Sequence, residues 1–264
     1  MGVYIRIFKN TLDIYSIYRL NFILWRVRVV INMLIPYFLW GSVLSHTSSI
    51  FGYDQRQMLT YIIFSAIITS IVQSTQTGRV GEEITSGELT NFLLRPIHYF
   101  SFLIARDLSD KFFNIVFAIF EVIGVVIILQ TPLFIQGHIW ILASVFLLVF
   151  LATVVYFIIG VLLGFFGFWT AEVWGPRFIF FILVSFLSGS LFPLDIFPKW
   201  FFQFLMMTPF PYLTFFPLKV YLGQLSTTEI IQGMVTLSAW GVILWGALII
   251  TWRRGLAHYQ AEGR

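Results

Sequence analysis

Residues 139–169 carry no charged side chain, and that one run limits what the chain can fold into more than any other feature. As a helix rising 1.5 Å per residue it would be about 45 Å long, against roughly 30 Å for the hydrocarbon core of a bilayer. It is therefore expected to tilt, bend or end before Trp169. Apolar runs of near-crossing length recur at 29–44, 58–72, 112–129, 178–194 and 230–252, and with 139–165 they make six candidate crossings. The chain is 59% hydrophobic and only 11% charged, well outside the composition of soluble domains. In lipid every backbone polar group must be satisfied internally, so the expected fold class is an all-α membrane protein with six transmembrane helices. Pro36 in the first run is tolerated as a kink.

One apolar stretch does not fit a straight span. Between Lys199 and Lys219 the chain is uncharged but interrupted by Pro209, Pro211 and Pro217, with Pro193 and Pro198 upstream. Three prolines so placed break a helix, so residues 195–221 are expected to form short helices that dip into the membrane and return. Charge parity supports six crossings rather than seven. Arg6, Lys9, Arg19, Arg26, Arg28, Arg79, Arg95, Arg106, Lys111, Arg177, Arg253, Arg254 and Arg264 then share one side, and Arg56, Lys199 and Lys219 the other. Thirteen against three is a positive-inside asymmetry that puts both termini in the cytoplasm. It also accounts for the net charge of +4 without invoking nucleic acid.

The start of the chain, residues 1–22, alternates a polar face (Arg6, Lys9, Asn10, Asp13, Ser16) with an apolar one (Tyr4, Phe8, Leu12, Tyr15). That pattern predicts a helix lying flat in the interface against membrane lipids. Its charges interrupt any signal-peptide core. The longest polar interruption is 73–111, with four of the sixteen basic and five of the twelve acidic residues, expected as a cytoplasmic hairpin. Within it Thr85-Ser-Gly-Glu88 has capping-box spacing, followed by Leu89, Phe92, Leu93 and Leu94 and closed by Arg95-Pro96. The expectation is a short capped helix with a leucine-rich face, which could dock a soluble partner or pack only on lipid or its own chain.

Four stretches of the chain resemble those of ABC-2-type permeases. Glu83, Thr85, Gly87-Glu88-Leu89, Phe92, Leu93-Leu94-Arg95-Pro96 look like the G-x-L-x-x-x-L-L-x-x-P loop after the second span, one residue short before the proline. Ser188-Gly189, Pro193, Pro198-Lys-Trp200 and Pro209 are similar to the G-x-x-x-P…P-x-W…P series of the outer re-entrant helices. Arg19-Leu-Asn-Phe-Ile-Leu-Trp25 and Phe168-Trp-Thr-Ala-Glu172 resemble a bacterial subgroup of such permeases. The resemblance spans essentially the whole chain as one transmembrane domain, 1–264. It implies the membrane subunit of an exporter in the bacterial plasma membrane. Such a subunit pairs with a second permease, identical or paralogous, and is driven by separate cytoplasmic ATPase subunits that bind ATP and magnesium. Those ATPases would grip the loop helix, and Gly189, Pro193, Pro198, Trp200 and Pro209 would build the outer gate.

The chain itself has no G-x-x-x-x-G-K-[ST], so it is not expected to be an enzyme or to hold a cofactor. It has no cysteine, and His46, His98, His138 and His258 fall on separate loops, which argues against a metal site. No H-E-x-x-H or G-x-S-x-G is present. Glu121, midway along 112–129, is expected to be a structural acid, protonated or hydrogen-bonded in the bundle. The alternative is a pathway or proton-carrying role. Gly160-x-x-x-Gly164 with Gly167 is a candidate packing seam. Glu172 and Arg177 are expected to anchor an interface turn. Two other readings stay open: a proton-coupled secondary transporter using Glu121, and a non-transporting membrane scaffold.

Overall fold

The computed structural model describes residues 19–47, 49–94 and 98–259. The expected interfacial helix up to residue 18 lies outside the described residues, as do Arg95 and Pro96. Among the described residues ten helices follow in order: α1 Arg19–Leu44, α2 Gln55–Val72, α3 Gly78–Thr85, α4 Leu89–Leu93, α5 Tyr99–Leu129, α6 Ile139–Gly164, α7 Trp174–Leu187, α8 Lys199–Met206, α9 Phe215–Tyr221 and α10 Thr227–His258. Single 3-10 turns at Phe165–Phe168, Leu194–Ile196 and Phe210–Leu213 join them. Among the described residues the strand-type pairing is confined to one bridge, Ile50 with Tyr53.

Local chemistry explains where the long helices begin. Asp54 accepts from the Gln57 amide at 2.7 Å while the Gln57 side chain accepts from the Asp54 amide at 3.3 Å, a capping box that starts α2. Ser226 and Glu229 repeat the device at the start of α10. The box expected at Thr85 and Glu88 is not formed. Thr85 ends α3, and its hydroxyl donates back to the Glu82 carbonyl at 3.2 Å. Gly87 follows at φ +79°, so Thr-Ser-Gly is a helix stop with glycine in the left-handed region, not a helix start.

Among the described residues four helices are long and apolar enough to cross a membrane: Phe22–Leu44, Tyr99–Leu129, Ile139–Phe168 and Thr227–His258. Three expected boundaries move. The first crossing begins at Phe22 rather than 29, within a helix that starts at Arg19 and carries Arg26 and Arg28 inside it. Residues 99–111, expected in the hairpin, are the opening turns of α5. Where a fifth crossing was expected over 178–194, the chain forms the 14-residue α7, stopped at Leu187 before Gly189 turns the chain at φ +75°. The proline-rich segment is broken into α8, a 3-10 turn and α9, as its prolines require.

α6 is the central post, packed against α10, α9, α3 and α2, while α1 lies on α2 and α2 on α5. Buried apolar side chains form two clusters. The larger runs from the spans into the proline-broken segment, through Tyr53, Met58, Tyr61, Ile63, Leu148, Leu213 and Phe215. The smaller lies beneath α3 and α4, and joins Val80, Ile84 and Leu89 to Tyr99, Phe165, Phe168 and Leu248.

Candidate functional site

The smaller cluster is roofed by α3, which is held there by a row of glycines. Gly160, Gly164 and Gly167 face Thr77, Val80 and Gly81. A β-carbon on Gly164 would stand 2.6 Å from that of Val80, and one on Gly167 would stand 2.8 Å from the Gly81 carbonyl oxygen. The stripe is thus a packing seam inside the chain, admitting the short helix at backbone contact distance.

Opposite the glycines, α3 is tied to α5 by buried charge. Glu83 pairs with Arg106 and accepts from the Tyr99 hydroxyl at 2.7 Å. Below it, Asp107 accepts from the Thr75 hydroxyl at 2.5 Å and the Gln76 amide at 3.3 Å, which fixes the bend from α2 into α3. Lys111 lies 3.4 Å from Asp107 and donates to the carbonyls of Ile71, Val72 and Ser74. It therefore satisfies carbonyls that the end of α2 leaves unpaired, where a cation also suits the helix dipole. Gln76 donates to Asp110 at 2.9 Å, and Asn114 donates to Asp110 at 3.1 Å. Asn114 in turn accepts from Arg26 at 3.1 Å, and Arg26 grips Glu121 through both Nε and Nη2. Positions 106, 107, 110, 111, 114 and 121 share one face of α5, so the charges form a continuous polar ladder facing α1, α2 and α3.

This ladder places Glu121. The acid is expected from the sequence to be protonated or hydrogen-bonded, and the structure adds a second charge. Arg26 supplies that charge because α1 continues helically through it. Local pattern places Arg26 in a flanking segment, and the 95-position separation of the partners hides the pair.

The loop residues divide in two. Leu89 is fully buried in the smaller cluster, so the expectation that it lies in a partner's groove does not survive. Phe92 packs beside Tyr99 and Phe102, with ring centroids 5.4 and 4.6 Å apart. Leu93 and Leu94 are 45% and 81% exposed, and Glu88 is exposed as well. The end of α10 holds this turn: Tyr259 donates its hydroxyl to the Gly87 carbonyl at 3.0 Å and accepts from the Thr90 amide at 3.2 Å. Sequence reasoning missed Tyr259, since nothing local distinguishes one interfacial tyrosine from another. It also left Arg106, Asp107, Asp110 and Lys111 as loop charges, although their helical spacing was visible.

At the opposite end, Tyr61 donates to the Gly189 carbonyl at 2.5 Å and Ser65 to the Ser190 carbonyl at 3.2 Å. Pro193, Pro198 and Pro209 each stand at the start of a short helix or 3-10 turn, and Trp200 is 72% exposed. Tyr53 donates to Asp195 at 2.6 Å, and Lys219 reaches the same carboxylate at 3.2 Å. Burial, with Asp195 beside it, pushes the Tyr53 phenol well above its ordinary value, so it remains a donor.

The model of a family described as ABC-2 family transporter protein matches residues 30–263. No curated protein matches the chain.

Proposed function

The chain belongs to the ABC-2 transporter family, and on that premise we propose that it is the permease subunit of an ATP-driven exporter. Two such subunits, identical or paralogous, form the translocation path, and separate cytoplasmic ATPases that bind ATP and magnesium drive it. The spans number six, with α2 and α7 completing the four long ones, and both termini face the cytoplasm of a bacterial plasma membrane. The thirteen-to-three division of basic residues supports that orientation. The proline-broken segment 195–221, with Gly189, Pro193, Pro198, Trp200 and Pro209, enters the outer leaflet and returns, closing the outer mouth.

One observation carries the coupling role. The α3–α4 layer is clamped to three different spans at once. Glu83–Arg106 ties it to α5, the glycine seam to α6, and Tyr259 to α10. A push on its exposed edge is therefore delivered to all three. That edge is Leu93 and Leu94, with Glu88 as a rim contact of small individual worth. Glu121, paired with Arg26, is a structural contact in this scheme and not a proton carrier.

The test is co-purification of the ATPase with a Leu93→Asp/Leu94→Asp variant. Charge on an exposed edge leaves the chain folded but is costly inside an apolar contact, so ATPase recovery and transport should both fall sharply. Undiminished recovery and transport would remove this edge as the coupling surface. Leu89→Asp is not an interface probe, because it would charge the chain's own core.

A further inference from the structure

A second polar site lies beside the coupling layer and takes no part in it. A cavity of about 320 Å³ opens between the start of α3 and the start of α7. Its walls include Arg79, Glu82, Thr75, Trp174 and Arg177. The Arg177 guanidinium lies over Gly78, where an added β-carbon would stand 2.5 Å from one of its nitrogens. Among the described residues neither the Arg79 nor the Arg177 side chain makes an ion pair or hydrogen bond, although Glu82 and the Tyr156 phenol lie near enough to Arg177 to favour its charge, so both guanidinium groups keep donors available at the cavity. The start of α7 is already served, since Glu172 accepts from the amides of Trp174 and Gly175 at 3.1 and 3.2 Å.

We propose that this cavity binds the phosphodiester headgroup of a membrane phospholipid, held by Arg79 and Arg177. Three observations on the same surface select that chemistry. Planar guanidinium groups match phosphate oxygens in geometry and charge. Two arginines and Glu82 leave one positive charge in excess, which a singly charged phosphodiester balances. Beyond the mouth, Trp174 stacks on Phe178 with centroids 4.9 Å apart. From there α7 presents Phe178, Ile179, Ile182 and Phe186, all exposed, as an apolar track for acyl chains. A free phosphate uses the arginines but not the track, whereas a phospholipid uses both. Basic pockets between membrane helices on the cytoplasmic side recognise lipid headgroups in this way. The bound lipid joins α3 to α7, a helix otherwise held chiefly by the 3-10 turn Phe210–Leu213. The leaflet, the cytoplasmic one, rests on the orientation proposed above, but the binding does not.

The test uses the full delipidated chain without any ATPase, so coupling does not enter the result. Native mass spectrometry would follow titration with dihexanoyl phosphatidylglycerol, dioctanoylglycerol and inorganic phosphate. The phosphodiester lipid should bind clearly better than either the phosphate-free diglyceride or the free anion. Arg79→Gln/Arg177→Gln should weaken it about tenfold or more, as expected for lost hydrogen bonds to a charged group. Gly78→Val keeps every charge but displaces the guanidinium, and should weaken it too. Arg254→Gln, remote from the cavity, should not. Equal binding by the double glutamine variant, or equal binding of the diglyceride, would overturn the proposal. Inorganic phosphate binding as tightly as the lipid would overturn the lipid as occupant.

Discussion

The two ends of the bundle solve one problem with different materials. At each end the chain leaves its long helices, and backbone groups must find partners. At the charged end, α3, α4 and the first turns of α5 do this with buried ions. Lys111 caps the carbonyls of α2, Asp107 holds the α2–α3 bend, and Arg106 pairs with Glu83. At the proline-broken end, tyrosine and serine hydroxyls take up the loose carbonyls, and rings fill the space around them. Its one ion pair among the described residues, Asp195–Lys219, is more open to solvent and is cushioned by the Tyr53 and Phe215 rings beneath Lys219. The contrast separates two kinds of robustness. A buried network concentrates the load, because removing one member strands its partner. A packed aromatic cap spreads it over many contacts.

The comparison breaks most readily at Arg106. Arg106→Met leaves Glu83 buried without its cation, and should lower stability by about 3–5 kcal/mol. Thermal unfolding of the purified variant reads this directly. The double variant Arg106→Met/Glu83→Leu should recover most of the loss, since replacing both partners by apolar groups removes the stranded charge. A single variant as stable as the parent would show that the charged end is not a concentrated network. Lys219→Met sharpens the other side. Asp195 keeps its bond from Tyr53 and its access to water, so the cost should be only about 1 kcal/mol in the same assay. A loss matching that of Arg106→Met would erase the distinction between the ends. The smallest effect belongs to Thr85→Ala. An N-cap role would cost about 1 kcal/mol, but a hydroxyl bonded only to its own helix should cost under about 0.5 kcal/mol. Hydrogen exchange in α3 and α4 would tell the two apart.

Several features were legible in the residues alone because the physics behind them is local. The apolar runs had to be helices, since lipid offers backbone groups no other partner. The prolines had to break 195–221, since proline removes a donor and clashes with the preceding turn. Membership in the family was visible in the ordered motifs. The interior assignments were a different matter. The same four residues, Thr85 to Glu88, can start a helix or stop one. What decided it was the glycine stripe on α6, some 80 residues away in sequence, which holds α3 in helix through Thr85. Leu89 and Leu94 are alike in composition, yet one is fully buried and the other 81% exposed, because Tyr259 and the Phe165–Phe168 turn fix which side of α4 meets the core. Glu121 acquires its character from Arg26, on a helix 95 positions earlier in the chain. What the sequence determined by itself was the all-helical membrane class and the place where the chain is broken, through hydrophobic length and proline. Which charges pair and which leucines remain exposed were settled by tertiary structure alone, because those contacts join residues that no local pattern brings together.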